Sequence, residues 1–213
     1  MTRIAILVSG RGSNMGALIR AAGAPGYPAR VALVVSSDPD APAMARAREA
    51  GVEAIPLSHK DFPDRESHER ALHERLEAAG IELVCGAGWM RVLTPWFVER
   101  WRDRAINIHP SLLPSFPGLH THRKCLESGA LWHGCTVHAI RTEVDAGPIL
   151  GQAAVPVLPG DDEESLAARV LAAEHSLYPA ALAAYASGRL RIRGERVERE
   201  AGAPPPPGPH LNV

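Results

Sequence analysis

Three short stretches of the chain concentrate side chains that could do chemistry. The first is Ser9-Gly10-Arg11-Gly12-Ser13-Asn14, directly after an aliphatic run. Glycines let the backbone close on an anion, and the helix expected next would offer unpaired N–H groups and a positive dipole end. Two phosphate signatures fail in detail. The third glycine of a dinucleotide loop is replaced by Met15. No acidic residue ends the second strand, where Ser36-Ser37 stand and Asp38 comes late. The Gly-Lys-Ser/Thr of a nucleoside-triphosphate loop is absent too. A single small phosphate ester fits better; the alternative is a bare turn between strand and helix.

The second stretch is Asn107-Ile108-His109-Pro110-Ser111-Leu112-Leu113-Pro114. Asn107 and His109 are two apart at the end of an apolar strand, so their side chains share one face. At the carboxyl end of a parallel strand that face meets the ligand crevice. An amide beside an imidazole suits stabilisation of a tetrahedral oxyanion with proton donation. The alternative is a turn asparagine and a satisfied core histidine. The third stretch is Glu143-Val144-Asp145-Ala146-Gly147-Pro148. Before Ala-Gly-Pro an aspartate is ordinarily a turn residue. It gains meaning only if it meets His109 in space, where a carboxylate aims an imidazole and stabilises its charged form. Spacing alone does not show that meeting.

His109, His120, His122, His133 and His138 invite a zinc hypothesis. No His-Glu-x-x-His helix and no cysteine pair accompany them, and no metal is expected. Cys85, Cys125 and Cys135 are too scattered for a disulfide framework. Trp89, Trp96, Trp101 and Trp132 read as core or pocket-wall residues, and Glu174, beside His175, reads as part of a solvated helix face.

Those stretches need a scaffold to aim them. Aliphatic runs at 3–8, 31–35, 52–56, 81–85 and 105–108 alternate with helical patterns at 14–22, 41–50, 64–79 and 94–101. This alternation predicts an α/β fold with a mostly parallel, Rossmann-like sheet and helices on both faces. After His109 prolines mark a long irregular loop. Strands at 134–140 and 149–157 follow without an intervening long helix, as a mixed or antiparallel C-terminal extension. Asp161 with Glu164 suggests a capping-box start to a helix ending near Ser187. Residues 190–193 read as an edge strand. One domain over 1–193 is expected, with a proline-rich, disordered tail at 194–213.

The chain has 213 residues, 46% of them hydrophobic and 22% charged, with formal net charge −1, which suits a folded domain with no general nucleic-acid field. The first aliphatic run is too short for a signal segment, and no run spans a membrane, so a cytoplasmic protein with no nucleic-acid or membrane partner is expected.

Over residues 3–190 the chain resembles the phosphoribosylglycinamide formyltransferase (glycinamide ribonucleotide transformylase) family of the formyltransferase superfamily. The resemblance is carried by Ser9–Asn14, Gly88-Trp89-Met90-Arg91-Val92-Leu93, Asn107–Pro114, Pro117-Gly118-Leu119-His120-Thr121-His122 and Asp145–Pro148. Methionyl-tRNA formyltransferase and formyltetrahydrofolate hydrolase are similar around Asn107, His109 and Asp145. The first usually adds a C-terminal tRNA domain and a Trp-Arg-Gly sequence where Ser115-Phe116-Pro117 stands here. The second normally adds an N-terminal domain. The resemblance implies transfer of a formyl group from 10-formyltetrahydrofolate to the amine of glycinamide ribonucleotide, in de novo purine biosynthesis. The alternatives are another formyl acceptor and hydrolysis of the formyl folate. It implies Asn107, His109 and Asp145 as the catalytic trio. Gly12, Ser13 and Asn14 would hold the phosphate and Glu174 the ribose hydroxyls, overturning its solvated reading. Arg65, Met90, Arg91, Val92, Leu93 and Asn107 would line the folate pocket, with Arg141 to Asp145 closing over the ring. Trp89 stands where related enzymes often carry Phe. A monomer or homodimer is expected.

Overall fold

The structure is a computed structural model and describes residues 1–200. Seven strands form one sheet: β1 (Thr2–Val8), β2 (Ala29–Ser36), β3 (Ala54–Pro56), β4 (Leu83–Gly86), β5 (Ala105–His109), β6 (Trp132–Ala139) and β7 (Ile149–Pro156), in the order β3-β2-β1-β4-β5-β6-β7. The expected α/β architecture is the one observed. β1 pairs parallel with β2 and with β4, and Ile4 to Val8 are at most 1% exposed, as a strand covered on both faces requires. β1 and β4 are neighbours although two strands were laid down on the far side of β1 before the chain returned. That reversal of strand order is where an open α/β sheet leaves a crevice at its carboxyl edge.

By its contacts the chain divides into two compact units. The first comprises Met1–Asn107 with Ile140–Thr142. It holds α1 (Ser13–Ala22), α2 (Pro42–Glu49), α3 (Arg65–Ala78) and α4 (Pro95–Arg100). Leu72 and Leu76, four apart on α3, are fully buried in a cluster with Leu7, Val35, Val84, Phe97 and Trp101. Asp64 caps α3 by accepting the Ser67 N–H at 2.7 Å, and Thr94 with Pro95 opens α4.

The second unit comprises Ile108–Ala139 and the residues from Glu143 onward. It contains α5 (Thr121–Ser128), α6 (Glu163–Ala186) and a separate antiparallel hairpin, β8 (Leu190–Arg193) with β9 (Arg196–Arg199). β6 and β7 are antiparallel, as expected of the extension. Leu166, Val170, Leu177, Tyr178, Ala181 and Leu182 form the buried stripe of α6.

Several expectations change. α5 replaces part of the irregular loop; its first residue follows His120 in a left-handed conformation, a start without a side-chain cap. The cap of α6 is Asp162 with Ser165, not Asp161 with Glu164. Asp161 instead accepts two hydrogen bonds from Arg169 at 2.7 and 2.9 Å, which with the Leu158 N–H holds its carboxyl far below the usual range. β8 pairs with β9, so strand structure continues past residue 193 into the expected tail, and β8 is a hairpin strand and not an edge of the main sheet. The proline run at 204–207 lies outside the described residues. Trp132 is 40% exposed, against the core or pocket-wall expectation. Cys85, Cys125 and Cys135 are buried thiols.

Candidate active site

In the first unit the candidate loops leave the carboxyl ends of β1 and β4. Gly12 precedes α1 with φ +71°, the left-handed region where glycine is at ease. A side chain there would also collide with α2, since its Cβ would lie 2.7 Å from that of Ala43. α2 holds the loop from behind: the Ala43 N–H donates to Gly10 O at 3.2 Å and Arg46 Nη1 to Arg11 O at 2.8 Å. Among the described residues no side chain caps α1. With two loop carbonyls turned toward α2 and no side-chain cap on α1, the loop has the polarity of an anion cradle. Ser13 opens α1 and Asn14 is buried beside it.

The segment after β4 is fixed at both ends. Ser9 N–H donates to Gly88 O at 3.1 Å, and Met90 N–H donates to Ser9 Oγ at 3.0 Å. At the far end Thr94 N–H donates to both oxygens of Glu69 at 3.0 Å, and the Thr94 hydroxyl donates to Glu69 Oε2. Glu69 is 1% exposed, and burial raises its carboxyl above the ordinary value. Met90 and Val92 are 69% and 52% exposed, an unusual display of apolar side chains. Trp89 stacks on His68 with ring centroids 6.2 Å apart. Arg65 begins α3, and Arg65 and Arg91 both act electrostatically on Glu69. Arg141 is turned to Asp103, at 2.7 Å.

Asn107 pairs with Gly86 across β4 and β5. A Cβ on Gly86 would lie 2.6 Å from Asn107 Oδ1, so the amide occupies the space the glycine leaves open.

In the second unit the structure brings Asp145 to His109: Asp145 Oδ2 is 3.4 Å from His109 Nδ1, with both side chains 8% exposed. The other ring nitrogen, Nε2, donates to Phe116 O at 3.1 Å. Both neighbours are acceptors, so the ring lies between a carboxylate and a carbonyl oxygen. Asp145 Oδ2 also accepts the Gly118 N–H at 2.9 Å, and Oδ1 lies 3.7 Å from His138 Nε2. His138 donates through Nδ1 to Ala139 O, and burial lowers its basicity. Asp145, Phe116 and His120 have φ of +58°, +54° and +59°. Left-handed aspartate is tolerated, but left-handed phenylalanine costs energy and marks a segment held by its surroundings.

His133 Nε2 lies 3.1 Å from His122 Nδ1, a pair that shares one proton. Burial first, then the neighbouring His122 and His109, push His133 down to about 4. The five histidines thus divide: two flank Asp145, two pair with each other, and His120 precedes α5. Among the described residues no group of His, Cys, Asp or Glu is arranged to hold a metal ion. Glu174 is 6% exposed in α6, which corrects its solvated-face reading, and its charge helps raise the buried Cys135 thiol. Glu69 and Gly86 were not singled out in the sequence, and His138 was read only as one of the clustered histidines. Only Gly86, a glycine closing an apolar strand, carries a local signal.

The formyl transferase family matches residues 2–182. Phosphoribosylglycinamide formyltransferase of Escherichia coli (strain K12) is 41% identical over 205 residues, 96% of this chain and 97% of that protein. The trifunctional purine biosynthetic protein adenosine-3 of Drosophila pseudoobscura pseudoobscura is 50% identical over 201 residues, 93% of this chain. This chain spans only 15% of that relative's length. The crystal structure of glycinamide ribonucleotide transformylase 1 from Symbiobacterium toebii superposes with TM-score 0.91 at 47% identity, covering 93% of this chain and 94% of that one. With the Ser9–Asn14 loop, the Asn107–His109 strand end and the His109–Asp145 pair in place, the chain belongs to the formyl transferase family, in its phosphoribosylglycinamide formyltransferase branch.

Proposed function

We propose that this chain transfers the formyl group of 10-formyltetrahydrofolate to the amine of glycinamide ribonucleotide, a step of purine biosynthesis. The observation that carries the chemistry is the His109–Asp145 pair at 3.4 Å. The substrate amine attacks the formyl carbon directly, since an amine needs no covalent help from the protein. Negative charge develops on the formyl oxygen. Asn107 donates to it through its amide, and His109 through the N–H that Phe116 O accepts in the structure, the formyl oxygen replacing that carbonyl. Asp145, 3.4 Å from Nδ1, aims the imidazole. The bond from carbon to the folate nitrogen then breaks. The proton lost by the attacking nitrogen ends on the departing one, directly or through a water held by Asp145.

Binding follows the same logic. Gly12, Ser13 and Asn14 would take the phosphate with the N–H groups of α1, and buried Glu174 the ribose hydroxyls. Met90 to Leu93 would offer backbone groups to the pterin, with Arg65 and Arg91 for acidic parts of the folate and residues 141–145 over the ring. The ligands are small molecules, and no metal is called for. Among the described residues no helix is long and apolar enough to cross a membrane.

The test is an absorbance assay for tetrahydrofolate release, with and without glycinamide ribonucleotide. Release that requires the ribonucleotide supports the proposal. Release without any acceptor would instead mean hydrolysis. Ligand binding without release would make the chain a folate-binding module.

A further inference from the structure

One hydroxyl joins three loops at the carboxyl edge of the first unit. Ser9 Oγ lies 2.7 Å from Ser37 Oγ, in the loop after β2, and accepts the Met90 N–H at 3.0 Å, in the loop after β4. Ser9 itself begins the loop after β1, and its backbone N–H donates to Gly88 O at 3.1 Å. The Ser37 N–H donates in turn to Val8 O at 3.1 Å. With the Ser37 hydroxyl donating, both lone pairs of Ser9 Oγ are used and the oxygen has no freedom to swing. These ties lie where β1 and β4 are neighbours and strand order reverses.

Each loop has a separate anchor as well. Ala43 and Arg46 hold the Gly10–Arg11 segment, and Glu69 holds Thr94 at the end of the Met90–Leu93 segment. Each loop therefore retains an anchor of its own when the Ser9 hydroxyl is lost. What that hydroxyl adds to the Ser9–Gly88 and Ala87–Leu7 backbone bonds is a side-chain tie that sets the spacing of one loop from the other.

We propose that Ser9 is a positioning residue that fixes the spacing between the two substrate-holding loops, and so the approach of amine to formyl carbon. The inference rests on the proposed function, in which Gly12, Ser13 and Asn14 hold the ribonucleotide phosphate and Met90–Leu93 the folate. A bimolecular reaction inside a protein is steep in this distance: a misplacement of about 1 Å costs on the order of 100-fold in rate. Ser9→Ala keeps the Ser9–Gly88 backbone bond and loses the side-chain tie. It should lower kcat about 10- to 100-fold. Dissociation constants for glycinamide ribonucleotide alone and tetrahydrofolate alone, measured by calorimetry, should change less than about threefold, because each loop keeps its own anchor. Ser9→Thr, which retains a hydroxyl on the same carbon, should restore most of kcat. Ser37→Ala, which leaves the Met90 N–H its acceptor but frees the Ser9 hydroxyl to rotate, should give the same pattern at smaller size; it also serves if Ser9→Ala does not fold.

Unchanged kcat in Ser9→Ala or, where that variant fails to fold, in Ser37→Ala overturns the inference. So does a loss of single-ligand binding that matches the loss of turnover, which would make Ser9 a binding group. Failure of Ser9→Thr to recover activity overturns it as well. Absence of ribonucleotide-dependent turnover in the unmodified protein would defeat the proposed function and this inference with it, so wild-type activity separates the two failures.

Discussion

Asp145→Asn isolates the charge of one carboxylate with little else disturbed. Asparagine tolerates the left-handed backbone that Asp145 adopts at φ +58°. Its amide oxygen can still accept the Gly118 N–H that Asp145 Oδ2 accepts at 2.9 Å. The fold should survive, with Tm within a few degrees of wild type. What disappears is the attraction of the carboxylate for positive charge on the imidazole 3.4 Å away. At an effective dielectric of about 20 that attraction is on the order of 5 kcal/mol. Part of it is offset by solvation and by reorientation of the new amide. A loss of about 3–4 kcal/mol in transition-state stabilisation remains, or roughly 100- to 1000-fold in kcat. The Michaelis constants should move much less, because His109, which the carboxylate aims, donates to an oxyanion absent from the bound substrates. The assay is steady-state tetrahydrofolate release at saturating glycinamide ribonucleotide, with thermal unfolding run in parallel. A folded Asp145→Asn retaining more than half of wild-type turnover would refute the role assigned to the pair.

Other substitutions test the remaining parts. Asn107→Ala and His109→Ala should each lower kcat on the order of 100- to 1000-fold while raising the Michaelis constants little, as seen in steady-state kinetics. Near-normal turnover in either would remove that residue from the reaction. Gly86→Ala puts a methyl 2.6 Å from Asn107 Oδ1, the far end of a side chain that must shift to make room. Tm should fall only a few degrees while kcat falls about 10-fold or more, measured on one preparation. The His133 imidazole is held neutral in the fold, near 4 against the ordinary 6.5. The unfolded chain therefore takes up a proton first as pH falls, and stability present above about pH 6.5 drains away between there and about pH 4. Its share of the loss at pH 5 is about 2 kcal/mol. Urea unfolding from pH 8 to pH 5 should show His133→Gln with a flatter profile than wild type. Identical slopes would exclude this histidine.

The parallel half of the fold was legible because β1 is buried on both faces and written as an unbroken aliphatic run, and mostly apolar strand patterns alternate with helical ones after it. Ile4 to Val8 admit no other reading once Gly51 and Gly80 have closed the intervening helices. The second half was harder for physical reasons. α5 begins after a left-handed His120 with no side-chain cap, so no Ser, Thr, Asp or Asn signals its start. At α6 two adjacent aspartates compete, and only the Arg169 contact to Asp161 leaves Asp162 as the cap. β9 lies in a stretch of alternating Arg and Glu that buries little, with strand character supplied by its pairing to β8.

The candidate site divides along a similar line. Groups that meet a ligand sit at strand ends and helix starts, where residue type and position together suggest a role, as for Gly12 and His109. Groups that hold those groups have no such signature. Glu69 lies in the middle of a charged helix, and nothing in its neighbours distinguishes it from Glu66, which pairs at the surface with Arg70. Glu69 is buried because Thr94, 25 residues later, returns two donors to it. His138 reads as one more histidine until Asp145 turns out to lie 3.7 Å from it. Such a supporting contact is a relation between two distant positions, set by strand order and loop path. A side chain therefore gains its supporting role only once the sheet is assembled. Substitutions at Ser9, Gly86 and Asp145 should consequently change turnover through the groups those residues hold.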